Sequence, residues 1–334
     1  MSNNLSCSES CSLPFSRRKF IHTVAATAAT GVFTRYLGNA AEPAAKPVSE
    51  TLVGELYKTL SPEQKAAVCF GFNDPLRLKV DNNWHITKQT ITDFFKPDQQ
   101  DLIKQIFMGL HSPEYAQKVL QQVEHDNGKG GFGSCSIALF GEPGTGKFEF
   151  VFAGRHVTRR CDGDSVEGAA FGGPIFYGHA ARSFKESPKH EDNIYWYQAL
   201  RANEVFQMLD GKQREKALLG TGRDENETAT VKLSGKKEGL AGIGVADLTK
   251  DQQGHVRKVL ADVLAPFRDV DVKEALKLVE KNGFENLHLS FYKNQDIGND
   301  GVWDVWQIEG PAMVWYFRGE PHVHTWVHIR ENAI

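Results

Sequence analysis

Four segments near the C-terminal end, Leu287–Tyr292, Val302–Ile308, Ala312–Phe317 and His322–Ile329, follow one another with Gly, Pro and Asn between them. Apolar residues recur in them at every second position, and alternation bounded by turn residues is the signature of antiparallel hairpins. An earlier block has the same character. Ser136–Phe140 runs into the turn residues 141–146, after which Phe148, Phe150 and Phe152 alternate with other residues. Helical patterns lie before and between these blocks rather than interleaving with each strand. That segregation predicts an α+β fold, with an antiparallel sheet built from hairpins at about 136–160 and 287–330 and packed against helix pairs.

One helix-opening element recurs at Leu60-Ser61-Pro62-Glu63-Gln64, Phe95-Lys96-Pro97-Asp98-Gln99, Leu209-Asp210-Gly211-Lys212-Gln213 and Leu248-Thr249-Lys250-Asp251-Gln252. Ser61, Asp210 and Thr249 are N-cap residues, and an apolar residue precedes each as a staple. Proline just inside a start loses only an N–H that has no helical partner. The irregular spacing argues for a shared helix-opening grammar rather than a solenoid period. The pattern predicts helices over 62–69, 97–108, 113–124, 195–218, 250–264 and 272–282. The Gly-rich stretch 220–244 is expected as an exposed loop.

The N-terminus is of a different kind. Ser16-Arg17-Arg18-Lys19-Phe20 precedes a mildly apolar run, Ile21–Phe33, and small residues at 38–41 offer a cleavage point. This is the layout of a signal peptide, and the paired arginines make it a twin-arginine one. A run of thirteen residues at ~1.5 Å each is too short to cross a bilayer core of ~30 Å. The expected organisation is a leader over 1–41, a Pro/Ala-rich spacer over 42–50 and one α+β domain over 51–334. The implied partner is the twin-arginine export machinery, and the implied destination is the periplasm or the exterior, reached folded and with no stable membrane span after cleavage.

Charge narrows the function. Lys+Arg 39 against Asp+Glu 42 gives a net charge of −3, without the basic excess of a nucleic-acid binder. Removing Arg17, Arg18, Lys19 and Arg35 with the leader makes the chain more acidic still. Gly141-Glu142-Pro143-Gly144-Thr145-Gly146-Lys147 has phosphate-loop spacing, but Phe148 replaces the metal-binding hydroxyl, and a strand pattern follows where a helix is needed. It reads as hairpin turn chemistry, and no nucleotide is expected. Cys69, Cys135 and Cys161 survive leader removal. A Cys135–Cys161 disulfide and three separate thiols both fit an exported chain.

The chain holds 12 His. His322, His324, Trp326 and His328 share one parity of a strand, so their side chains project to one face. Imidazoles two apart on a strand can chelate a metal; His156, after the Phe-rich strand, and His85, beside Trp84, would complete a three- or four-nitrogen site. Such a set suits a divalent transition metal: Zn, Cu, Fe or Mn. The same spacing also fits a His-rich solvent face of an edge strand. Glu142 is a candidate general base for a metal-bound water. Trp84, Arg155, Trp326 and His328 flank the candidate ligands as possible pocket walls.

Leu-Ser-Pro-Glu-Gln-Lys-Ala-Ala-Val (60–68), Asn-Trp-His (83–85), Leu-Phe-Gly-Glu-Pro-Gly (139–144), Gly-Arg-His-Val (154–157), Pro-Ile-Phe-Tyr-Gly (174–178), Gln-Ile-Glu-Gly-Pro-Ala (307–312) and His-Val-His-Thr (322–325) occur in that order. In this the chain resembles the bacterial domain-of-unknown-function family numbered 3500, over about residues 50–331. The resemblance implies that His85, His156, His322 and His324 occupy the family's motif positions. Arg155 stands where relatives usually have the first of two histidines, and Trp315 where an acidic residue is common. No activity comes with the family.

Two functions fit. One is an exported metalloprotein that uses the four histidines, either a metal-dependent hydrolase acting on an ester, amide or glycoside or an oxidoreductase. The other is a non-catalytic extracellular protein binding a small molecule, glycan or peptide on an aromatic and histidine-rich face.

Overall fold

The computed structural model describes residues 48–180, 193–294 and 302–333. The expected leader and the first part of the spacer, 42–47, lie outside the described residues. The helices are α1 (Ser49–Thr59), α2 (Pro62–Val68), α3 (Ile91–Phe94), α4 (Pro97–Gly109), α5 (Ala116–Asp126), α6 (Trp196–Met208), α7 (Gly211–Ala217), α8 (Lys250–Leu264) and α9 (Asp269–Asn282). The strands are β1 (Cys69–Phe70), β2 (Ser136–Gly141), β3 (Phe148–Gly154), β4 (Val157–Cys161), β5 (Ile175–His179), β6 (Leu218–Leu219), β7 (Ile243–Gly244), β8 (His288–Tyr292), β9 (Val305–Gly310), β10 (Met313–Arg318) and β11 (Val323–Ile329). No helix of the described residues is long and apolar enough to cross a membrane.

The strands form one sheet in the order β1-β2-β3-β4-β5-β11-β10-β9-β8-β6, with β7 beside β8. The two hairpin blocks therefore join through β5, a strand absent from the sequence expectation, paired antiparallel to β11. The chain is α+β as expected.

The order reads alike from both edges. Two-residue β1 lies parallel to β2 and two-residue β6 parallel to β8, and antiparallel hairpins fill the path from each edge to the centre. The registers match as well. Gly154 pairs Val157 across the two-residue turn Arg155-His156, and Gly310 pairs Met313 across the turn Pro311-Ala312. The chain is thus internally repeated, and the repeat explains the recurring helix openings. In the first half Gln64 Nε2 donates to Gln99 Oε1 (2.9 Å) and Gln99 Nε2 returns a bond to Gln64 Oε1 (3.1 Å). In the second half Gln213 and Gln252 make the same exchange, at 3.1 and 2.8 Å. Each Gln also closes its own capping box by accepting from an N-cap N–H. The expected single helix over 195–218 is two, α6 and α7, because Asp210 caps a new start.

Helices cover one face of the sheet. The apolar sides of α1, α4 and α5 pack on Ile137, Leu139, Phe150 and Phe152, and those of α6, α8 and α9 on Trp306, Ile308, Trp315 and Val327. Val157 and Tyr177, one in each cluster, are register partners and so project to the same side. The opposite face is closed by loops. Leu233 and Val231, from the stretch expected to be exposed, are 7% and 1% exposed and pack against Trp326, Val314 and Tyr316. Apolar side chains spaced along that segment lay it down as a strap, a signal hidden in the sequence by its many Gly and charged residues.

Candidate metal centre

His156 occupies the β3–β4 turn with φ 58°. The left-handed region costs a non-glycine residue ~1–3 kcal/mol and persists only where surroundings enforce it. Here His156 N donates to Asn82 O (2.8 Å), and His156 O accepts from Gly178 N (3.1 Å). Asn127 clamps the preceding residue, accepting from Arg155 N (3.1 Å) and donating to Arg155 O (3.3 Å). His322 and His324 enter from the start of β11. His324 pairs with Gly178 on β5 and with Arg318 on β10. A side chain at Gly178 would collide with the Val323 carbonyl oxygen, so only glycine lets the ligand strand approach.

These elements bring three imidazoles to one point. His322 Nε2 lies 3.0 Å from His324 Nε2 and 3.2 Å from His156 Nε2, and the His156–His324 separation is also 3.2 Å. All three rings are buried, at 3–6% exposure. Among the described residues they form the group of His, Cys, Asp or Glu donors close enough to hold one metal ion. Phe176 packs edge-on to His324 and closes an apolar side of the cluster.

Two carboxylates orient the rings. His156 Nδ1–H donates to Asp126 Oδ2, and His324 Nδ1–H donates to Glu225 Oε2, each at 2.6 Å. An ionised carboxylate only accepts, so both protons sit on Nδ1 and both Nε2 lone pairs face the centre. Asp126 also accepts from Gln122 Nε2 (2.9 Å) and Ala180 N (3.2 Å). Burial alone would raise its carboxyl, but the bonds from His156 and His179 hold it well below the usual carboxylate range. Burial likewise opposes ionisation of Glu225, and the His324 bond with the Arg318 guanidinium 2.6 Å away outweighs it. Burial pushes His324 down to about 3, so the ring is a neutral donor of its Nδ1 proton.

The other expected site residues lie elsewhere. His85 is exposed, its Nε2 2.8 Å from Ser134 O, because its neighbours Trp84 and Ile86 anchor the loop on Ala138, Phe140 and Val151 of β2 and β3. Glu142 is exposed in the β2–β3 turn, bonded by Thr145 Oγ1. The length of β3, ~20 Å at ~3.3 Å per residue, separates it from His156. It cannot serve as the base for this centre. Phe148 opens strand β3 directly after that turn. His328 shares the face of His324 but is four residues further along β11. Its Nδ1 donates to Val231 O (3.1 Å), and burial lowers it to about 4. Trp326 is fully buried against Phe176, and Trp84 is 8% exposed with its indole N–H on Thr158 Oγ1. Neither ring offers a face to solvent. Arg155 is half-buried beside His156, its guanidinium reaching Asp126 O at 3.4 Å. Asp126 and Glu225 were not legible as site residues, since they lie 30 and 99 positions from the histidines they orient.

The model of a protein family of unknown function, DUF3500, matches residues 43–332. The chain belongs to the DUF3500 family. No curated protein and no solved structure matches it. For DUF3500 the match supplies a domain extent and no chemistry, so function here rests on the site alone.

Proposed function

We propose that this DUF3500 chain is a transition-metal protein whose centre is His156, His322 and His324. The convergence of the three Nε2 atoms within 3.0–3.2 Å carries the reading. Nitrogens bound to a tetrahedral metal at ~2.0–2.1 Å are about 3.3 Å apart, so the cluster is already near ligand spacing. The carboxylates behind His156 and His324 hold those two Nε2 lone pairs inward, where they repel unless a cation or the His322 ring proton lies between them. Three imidazoles without thiolate suit zinc, copper or iron better than the harder cations.

Three ligands on one side of a metal leave its other positions to water or a substrate. This is the pattern of catalytic rather than structural zinc, and a bound metal would supply an acidified water or a Lewis acid for hydrolysis of an ester, amide or glycoside. Asp126 and Glu225 are each committed to an imidazole, so their part is to set ring orientation and ligand basicity. A redox-active metal at the same donors would instead make the centre an oxidoreductase. The twin-arginine leader fits either case, because export in the folded state would let the metal be chosen before the chain reaches the periplasm or exterior.

Elemental analysis of the purified protein tests the proposal. Near-stoichiometric metal, lost in the His322→Ala/His324→Ala double variant, is the expected result. A folded wild-type protein that stays metal-free after exposure to zinc, copper, iron and manganese in turn overturns it.

A further inference from the structure

The segment 220–233 crosses the loop-covered face as a strap. Arg223 pairs with Glu309 on β9 (2.9 Å), Val80 N donates to Thr228 Oγ1 (3.2 Å), and His328 Nδ1 on β11 donates to Val231 O (3.1 Å). Between these pins Glu225 reaches both Arg318 on β10 and the Nδ1 proton of His324. The strap also touches the mount of a second ligand. Two residues beyond Val80, Asn82 O holds the His156 N–H (2.8 Å).

We infer that Glu225 is a positioning residue for the metal centre, and that closure of the strap it rides on is linked to metal occupancy. The inference rests on the metal reading above. A metal on His324 Nε2 requires the ring proton on Nδ1, where Glu225 accepts it. Without the metal the inward Nε2 lone pairs of His156 and His324, 3.2 Å apart, repel each other, and that repulsion is relieved if His324 and the Glu225 that holds it move outward together. Metal binding therefore favours the closed strap. By linkage the closed strap raises metal affinity by the same factor.

A variant remote from the ligands separates this coupling from simple ligand loss. Thr228→Val removes the bond to Val80 N on an exposed part of the strap and touches no imidazole. Zinc affinity measured by competition titration, and hydrogen exchange of residues 223–231 with and without zinc, are the two readouts on the full chain. Zinc is expected to slow exchange in the strap of the wild type. Glu225→Gln is expected to weaken zinc about 10–100-fold, as is usual for a partner behind a ligand, and Thr228→Val to weaken it several-fold with an unchanged fold by circular dichroism. Zinc bound with strap exchange unaltered, or with Thr228→Val as tight as wild type, overturns this inference and leaves the metal reading standing. A wild-type protein that binds no zinc or other metal overturns both.

Discussion

The Nε2 atoms of His156 and His324 lie 3.2 Å apart although 168 positions separate the two residues. One comes from the first repeat and one from the second, so a metal held between them would cross-link the β3–β4 turn of one half to β11 of the other. Each imidazole is backed by a carboxylate from its own half: Asp126 at the end of α5 and Glu225 on the strap.

Metal removal is expected to destabilise the whole domain. Free metal at 1,000 times its Kd adds about 4 kcal/mol to stability. For a domain of this size that is roughly a 10 °C shift in Tm, since each kcal/mol is worth about 2–4 °C. Thermal melts with and without a chelator measure it, and a His156→Ala variant should melt at the same temperature in both.

One metal per chain is expected despite the repeat. The turn equivalent to Arg155-His156 is Pro311-Ala312, which offers no imidazole. Metal-to-protein ratios near two in the loaded protein would contradict this.

His85→Ala and Glu142→Gln should leave metal content and zinc affinity unchanged. Both side chains are exposed and engaged locally, and surface substitutions of this kind usually change stability by no more than about 0.5 kcal/mol. A tenfold loss of affinity in either variant would place it back at the centre.

The reciprocal Gln pairs should behave as coupled units. Gln99→Ala takes one donor and one acceptor from the buried Gln64 amide, which keeps only Phe94 O and Ser61 N–H, and takes a donor from Thr59 O. A buried polar group left without its partner costs about 1–3 kcal/mol. Denaturant melts of Gln64→Ala, Gln99→Ala and the double variant should show that the second substitution costs much less than the first. Simple additivity would disprove the pairing.

An acidic groove gives a pH signature away from the metal. Burial, then the nearby Asp162, Asp271 and Asp164, push Glu274 on α9 up to about 7, and burial with Glu149 and Asp164 raises Asp162 to about 6. Between pH ~4.5 and 7 the folded state therefore holds protons that the unfolded chain has released, and stability from these groups falls as pH rises. Glu274→Gln should be close to neutral at pH 5 and stabilising at pH 8. Melting temperatures across that range check the sign.

The cysteines decide between the two alternatives left open by sequence. Among the described residues Cys69, Cys135 and Cys161 are free, with Cys135 and Cys161 buried. Cys161 pairs with Phe150 on one side of β3, and Cys135 precedes Ser136 on the other. Two strand spacings of ~4.8 Å separate them, beyond the ~4.4–6.8 Å Cα reach of a disulfide. Intact mass should be unchanged by reductant, and Cys135 and Cys161 should react only on unfolding, whereas the half-buried Cys69 should react in the folded protein.

Local physics explains what was legible. Ser61, Asp210 and Thr249 announce helix starts because an N-cap is satisfied within three residues, and Phe148–Phe152 announces a strand because alternation is a property of the backbone itself. The parity of His322, His324, Trp326 and His328 follows for the same reason. Strand β5 escaped because Ile175–His179 is buried on both faces at the centre of the sheet and shows no polar alternation. The Gln residues were visible, but their pairing was not, since each partner lies 35 or 39 positions away.

The site divides along the same line. The His-x-His spacing on β11 and the place of His156 just after the Phe-rich strand came from the chain alone, because both are read from local alternation. Which histidines meet, which carboxylates stand behind them and which aromatic rings are buried depend on the pairing of β5 with β11 and on the path of the strap. Those are contacts between distant segments, chosen by collapse of the whole apolar pattern, so only the folded arrangement admits His156 to the cluster and leaves His85 outside it.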